Sequence, residues 1–124
     1  MKVYIAHSYG RRHGVSEETL EKNFVASIFW TRELIKLGHK PFNPLFFHVV
    51  HKDWDESPDE KTYFDLVACW IENCDCLFVA KQPSWTNSGV NREIKIAEKL
   101  GIPVIYSLED IPNEREATRN EPNL

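Results

Sequence analysis

Short apolar runs bounded by turn residues alternate along this chain with longer stretches whose apolar residues recur at helical spacing. Val3 to Ala6 is the first run and predicts a strand. After it, Ser16, Glu17, Glu18 and Thr19 form a helix start, and Leu20, Phe24, Ile28, Leu34 and Ile35 carry an apolar stripe to about Leu37, where Gly38 is a good stop. His39 to Asn43 predicts a second strand, closed by Pro44. Residues 45–59 show no regular period; a segment of that length in a small domain is usually functional or mobile, and its aromatics (Phe46, Phe47, Trp54) suggest a mobile lid with stacking surface. A second helix is expected from about Glu60 to Asn73, with Phe64, Val67, Trp70 and Ile71 on one face. Asp75 to Lys81 predicts a third strand, Gly89 to Leu100 a third helix stopped by Gly101, and Ile102 to Tyr106 a fourth strand. The polar tail from Pro112 to Leu124 has little to bury, and is either disordered or docked on a neighbouring subunit, with Asn120 and Asn123 available to it.

Strands that alternate with helices imply a parallel sheet covered on both faces, a flavodoxin/Rossmann-like three-layer α/β sandwich of four or five strands. Right-handed crossovers make 2-1-3-4 the natural strand order. The topological switch point then falls between the first and third strands, at the carboxyl end where open α/β sheets bind ligands. Three segments converge there: His7 to Gly14, Gln82 to Glu93, and the start of the second helix near Tyr63 and Asp65. Asp75 sits at the opposite end. We divide the chain into a domain, 1–111, and a tail, 112–124.

Composition narrows the classes. At 124 residues the chain holds one modest core, and a formal net charge of -4 argues against a general nucleic-acid binder. No apolar run approaches membrane-spanning length, and the apolar start is too short for a signal peptide. Cys69, Cys74 and Cys76 are odd in number and lack Cys-x-x-Cys spacing, so we expect buried thiols in a reducing cytoplasm.

Chemistry concentrates at the switch point. Gly10, Arg11, Arg12 and Gly14 give a basic, glycine-containing loop in which backbone N–H groups and guanidinium groups suit a phosphate; solvated surface is the plainer reading. Glu93, at a helix start after a strand, is either a favourable charge at a helix N-terminus or a working carboxylate. Asn87 and Ser88 suit helix caps, or ligand hydroxyls. Trp85 can stack a base or simply pack its loop. His48, His51, Asp53 and Asp55 tempt a metal reading, but their spacing lacks a third ligand of the right kind, and we expect no metal and no cofactor.

Taken together, Tyr4 on the first strand, the glycine loop after it, an acidic residue on the helix before the third strand, Trp85-x-x-Ser88-Gly89-x-x-x-Glu93-x-x-x-Ala97 and Gly101-Ile102-Pro103-Val104 resemble the nucleoside 2-deoxyribosyltransferase superfamily, from Met1 to about Tyr106. The resemblance implies cleavage of the N-glycosidic bond between a base and a (deoxy)ribose, with the sugar passed to another base or, in members acting on nucleoside 5'-monophosphates, to water. Glu93 would be the nucleophile at C1', Tyr4 would orient it, and Asp65 would protonate or hold the base. Ser8, Gly10, Arg11 and Ser88 would be candidates for binding the phosphate, and we add His7, Arg12, Trp85, Asn87 and Gly89 to the expected substrate-binding set. Two positions depart from the pattern: Val67 stands where the helix acid usually lies, with Asp65 two residues earlier, and Asn87-Ser88 replace the Asp often found before the glycine. The second, with Arg11 and Arg12, points to a phosphorylated substrate.

The expected function is therefore cleavage of a (deoxy)nucleoside 5'-monophosphate. Base exchange on free deoxynucleosides and a non-catalytic nucleotide sensor are the alternatives. The expected partners are a small nucleotide or nucleoside and further copies of the chain, with no nucleic acid and no membrane.

Overall fold

The computed structural model describes residues 1–9, 14–56, 59–80 and 87–112. The first strand, β1 (Lys2–Ala6), is buried from Val3 onward and becomes the centre of the sheet. Its pleat sorts its side chains: Val3 and Ile5 face one layer, Tyr4 and Ala6 the other.

Helix α1 (Glu17–Lys36) starts where its cap chemistry directs. Ser16 Oγ accepts from Thr19 N at 3.2 Å, and Glu17 and Glu18 occupy the first turn. It ends at Gly38, whose φ of +88° is the left-handed conformation that favours glycine and lets His39 N donate to Leu34 O at 3.0 Å. Strand β2 (Lys40–Phe42) follows, shorter than the His39–Asn43 run.

Residues 45–59 depart from the expected irregular loop. Pro44–Phe46 form a 3-10 turn and Phe47–His51 a short helix, α2. The cause is a buried polar network. Asn43 Oδ1 accepts from Leu45 N at 2.9 Å, and its Nδ2 donates to Ser27 Oγ (2.8 Å) and Thr31 Oγ1 (3.1 Å) of α1. Phe46 then meets Phe24 edge-on, 6.0 Å between centroids. The start of this segment is thus docked on α1.

Helix α3 (Glu60–Glu72) is capped by Asp59, which accepts from Thr62 N at 3.0 Å and from its hydroxyl at 2.7 Å. These two bonds hold the Asp59 carboxyl below its ordinary value. Strand β3 (Cys76–Val79), helix α4 (Asn87–Leu100) and strand β4 (Val104–Ile105) complete the order, with Gly101 at φ +74° ending α4.

The sheet is parallel with order β2-β1-β3-β4, the order expected from the crossovers. One core layer joins Val3, Ile5, Cys76 and Phe78 to Leu34 and Trp30 of α1 and to Ile111. The other joins Tyr4, Ala6 and Leu77 to Ile71 of α3 and to Val90 and Ala97 of α4. One expectation about α3 needs correction. Cys69 is exposed, because it lies on the far side of the helix from Ile71; only Cys74 and Cys76 are buried. Trp70 stacks on Phe42 at 4.2 Å and 12° yet stays 43% exposed, because its partner lies on the edge strand β2. Burial pushes the Cys76 thiol up to about 11, so it stays protonated at neutral pH.

Candidate active site

Helix α4 begins at Asn87, so Glu93 lies nearly two turns in rather than in the first. That distance weakens any role as a helix-start charge, because the favourable field of a helix N-terminus fades within one turn. The helical stripe places Glu93 instead. Val90 and Ala97, seven residues apart, are buried against the sheet, and Glu93 and Ile94 lie between them on the same face. A carboxylate on a core-facing stripe costs desolvation unless a donor meets it.

The donor is Tyr4. It has no exposed surface, its pleat aims it at the α3/α4 layer, and its hydroxyl donates to Glu93 Oε2. Register fixes Tyr4 opposite Leu77 of β3 and Phe42 of β2, and the Phe42 ring flanks it at 5.7 Å. Burial raises the Tyr4 phenol well above its ordinary value, and the Glu93 charge and hydrogen bond raise it further. The phenol therefore stays protonated and acts as donor. Beside this pair, the Arg92 guanidinium lies 4.4 Å over the Phe64 ring and ties α4 to α3.

His7 and Ser8 follow β1 directly and are buried. His7 Nδ1 lies 2.8 Å from Ser8 O; a carbonyl only accepts, so Nδ1 carries the proton and Nε2 presents a lone pair. Burial lowers the His7 pKa, the bond to Ser8 opposes it, and the ring is neutral at pH 7. Such a ring can accept from a hydroxyl or amine.

The remaining sequence candidates divide. The Asp65 side chain is 73% exposed and pairs with Lys61 at 3.5 Å. Gly89 lies in α4, with nothing within 4 Å of where a Cβ would stand. Gly10, Arg11, Arg12 and Trp85 lie outside the described residues, as do the side chains of Asn87 and Ser88. His48 is engaged by Tyr9 and Glu21, and among the described residues no three metal-ligating side chains converge. Tyr9 and His48 as partners were not found from sequence; only the unusual length of the 45–59 segment signalled that something there was held in place.

The family model described as "Domain of unknown function (DUF1937)" matches residues 1–109. No curated protein matches the sequence. Among solved structures, the chain is similar to the 2-deoxyribosyltransferase of the psychrotolerant bacterium Bacillus psychrosaccharolyticus, with a TM-score of 0.59 and 20% identity over 98% of this chain and 93% of that one. That likeness is one of fold. Among the described residues no helix is long and apolar enough to cross a membrane.

Proposed function

We propose that this chain, which belongs to the DUF1937 family, cleaves the N-glycosidic bond of a (deoxy)nucleoside 5'-monophosphate with Glu93 as the nucleophile. The observation that carries the reading is the Tyr4–Glu93 pair: a buried phenol on the central strand donating to a carboxylate held on the core face of α4. Glu93 bonds to C1' as the C1'–N bond breaks; the base leaves with the electron pair and gains a proton. Water then attacks C1', loses its proton and frees the Glu93 carboxylate, with net retention of configuration. Tyr4 fixes the carboxylate for attack, and its hydrogen bond stabilises that carboxylate as it departs in the second step. Asp65 is the candidate that holds or protonates the base. Ser8, Gly10, Arg11 and Ser88, with Arg12 adjoining, are the candidates for the 5'-phosphate.

The fold shared with a 2-deoxyribosyltransferase favours a second reading, in which a second base takes the place of water. One experiment separates the two. The protein is incubated with the common nucleosides and their 5'-monophosphates, with and without a labelled free base, and released and exchanged bases are measured by chromatography. Base release that requires the 5'-phosphate is expected. Base exchange on free deoxynucleosides would establish transfer instead, and tight binding with neither reaction would leave a nucleotide sensor. We read the active form as a homo-oligomer in which the polar tail, 112–124, meets a neighbouring subunit; sedimentation checks it.

A further inference from the structure

A second tyrosine stands where β1 gives way to the segment assigned to substrate. Tyr9 is held at three points. Its carbonyl oxygen accepts from Asn23 Nδ2 of α1 at 2.8 Å. Its hydroxyl lies 2.5 Å from His48 Nδ1 of α2, and its ring is edge-on to the imidazole, 5.6 Å between centroids. His48 is 4% exposed and is itself fixed: Nε2 lies 2.6 Å from Glu21 Oε2, and the ring lies against Phe24 at 5.2 Å. The Glu21 carboxylate only accepts, so Nε2 carries a proton; in the neutral ring Nδ1 then accepts from the Tyr9 hydroxyl. The Asn43 network in turn docks α2 on α1. Tyr9 and Val15, on either side of Gly10–His13, line a cavity of about 550 Å³ together with Glu21, His48 and Lys52.

We propose that His48 is a positioning residue for the start of the substrate segment, Ser8 and Tyr9: by holding Tyr9 against α1 and α2 it fixes Ser8 beside it, and so sets substrate affinity rather than the rate of bond cleavage. This rests on the reading of that segment as the substrate loop. The physical reason is preorganisation. A residue already fixed by its carbonyl, its hydroxyl and its ring has less freedom to lose when a ligand binds beside it.

Three variants dissect the clamp. Tyr9→Phe keeps the ring and removes the hydroxyl. His48→Gln keeps an N–H toward Glu21 and removes the acceptor for Tyr9, whereas His48→Asn keeps an oxygen near the place of Nδ1. In Tyr9→Phe and in His48→Gln, KM for the monophosphate rises about tenfold with kcat held within about twofold. The double variant rises no further, and His48→Asn recovers most of the loss. A fall in kcat at constant KM, or a lower Tm with KM unmoved, overturns the proposal. Amide hydrogen exchange across residues 8–15, read without substrate, separates this outcome from that of the activity. Faster exchange in Tyr9→Phe and His48→Gln than in the wild type and His48→Asn supports the clamp, and unchanged exchange overturns it. A wild type that releases no base overturns the activity reading alone.

Discussion

Two tyrosines, five residues apart, are held in different ways. Tyr4 lies inside the central strand; sheet register fixes its backbone, Phe42 flanks its ring, and its hydroxyl reaches Glu93 across the α3/α4 layer. Tyr9 lies beyond the strand; a side-chain amide of α1 holds its carbonyl and a histidine of the five-residue α2 holds its hydroxyl. The first pair depends on regular structure that the fold cannot lose without unfolding. The second depends on side-chain bonds that a single substitution removes while the sheet stands. The rigid pair suits bond making at C1', and the conditional one suits setting where a loop begins.

Of the substitutions that bear on this comparison, the one with the largest expected effect separates the two. Tyr4→Phe keeps the ring and removes the donor to Glu93, so kcat should fall about thirtyfold, the equivalent of about 2 kcal/mol for a hydrogen bond to a charged group. KM should move little, the reverse of Tyr9→Phe. Equal effects of both substitutions on kcat would erase the distinction.

A somewhat smaller effect is expected at the base of the clamp. Asn43→Ala removes the donor to Ser27 Oγ and Thr31 Oγ1 and the acceptor of Leu45 N, and should lower the unfolding free energy by about 1–2 kcal/mol, read from the urea midpoint. Because the same network docks α2, KM should rise as it does in Tyr9→Phe.

The smallest effect is electrostatic. Burial lowers the His7 pKa from 6.5, so below pH 6.5 the unfolded chain binds this proton more readily than the folded one. The contribution is full above that pH and is lost as pH falls through the lowered value. Wild type should therefore lose more stability between pH 7 and pH 5.5 than His7→Gln; identical slopes would remove His7 from the account.

Much of the frame was legible in the sequence because local signals and long-range packing agree there. Ser16 and Gly38 bound α1 within a residue, and the alternation in Val3–Ala6 sorts the two core layers. Glu93 was legible as a carboxylate near a helix start; its place on the Val90–Ala97 stripe, nearly two turns in, needed the observed start of α4 at Asn87. Helix α2 was not legible. Five residues show no helical period, and the turn before them is held by Asn43 bonding to residues of α1 that are distant in sequence. Strand β4 shrank to two residues at the sheet edge, where, among the described residues, only β3 pairs with it. Cys69 failed for a related reason: composition says what tends to be buried, but the angle around α3 decides what is.

The central claim is that the Glu93 carboxylate does the chemistry. Glu93→Gln preserves shape and hydrogen-bonding capacity while removing the charge, and circular dichroism reports whether the fold is kept. Base released from the monophosphate that wild type cleaves fastest is measured for both proteins under the same conditions. The account predicts a loss of about a thousandfold or more in the folded variant. Turnover at the wild-type rate by Glu93→Gln would contradict it.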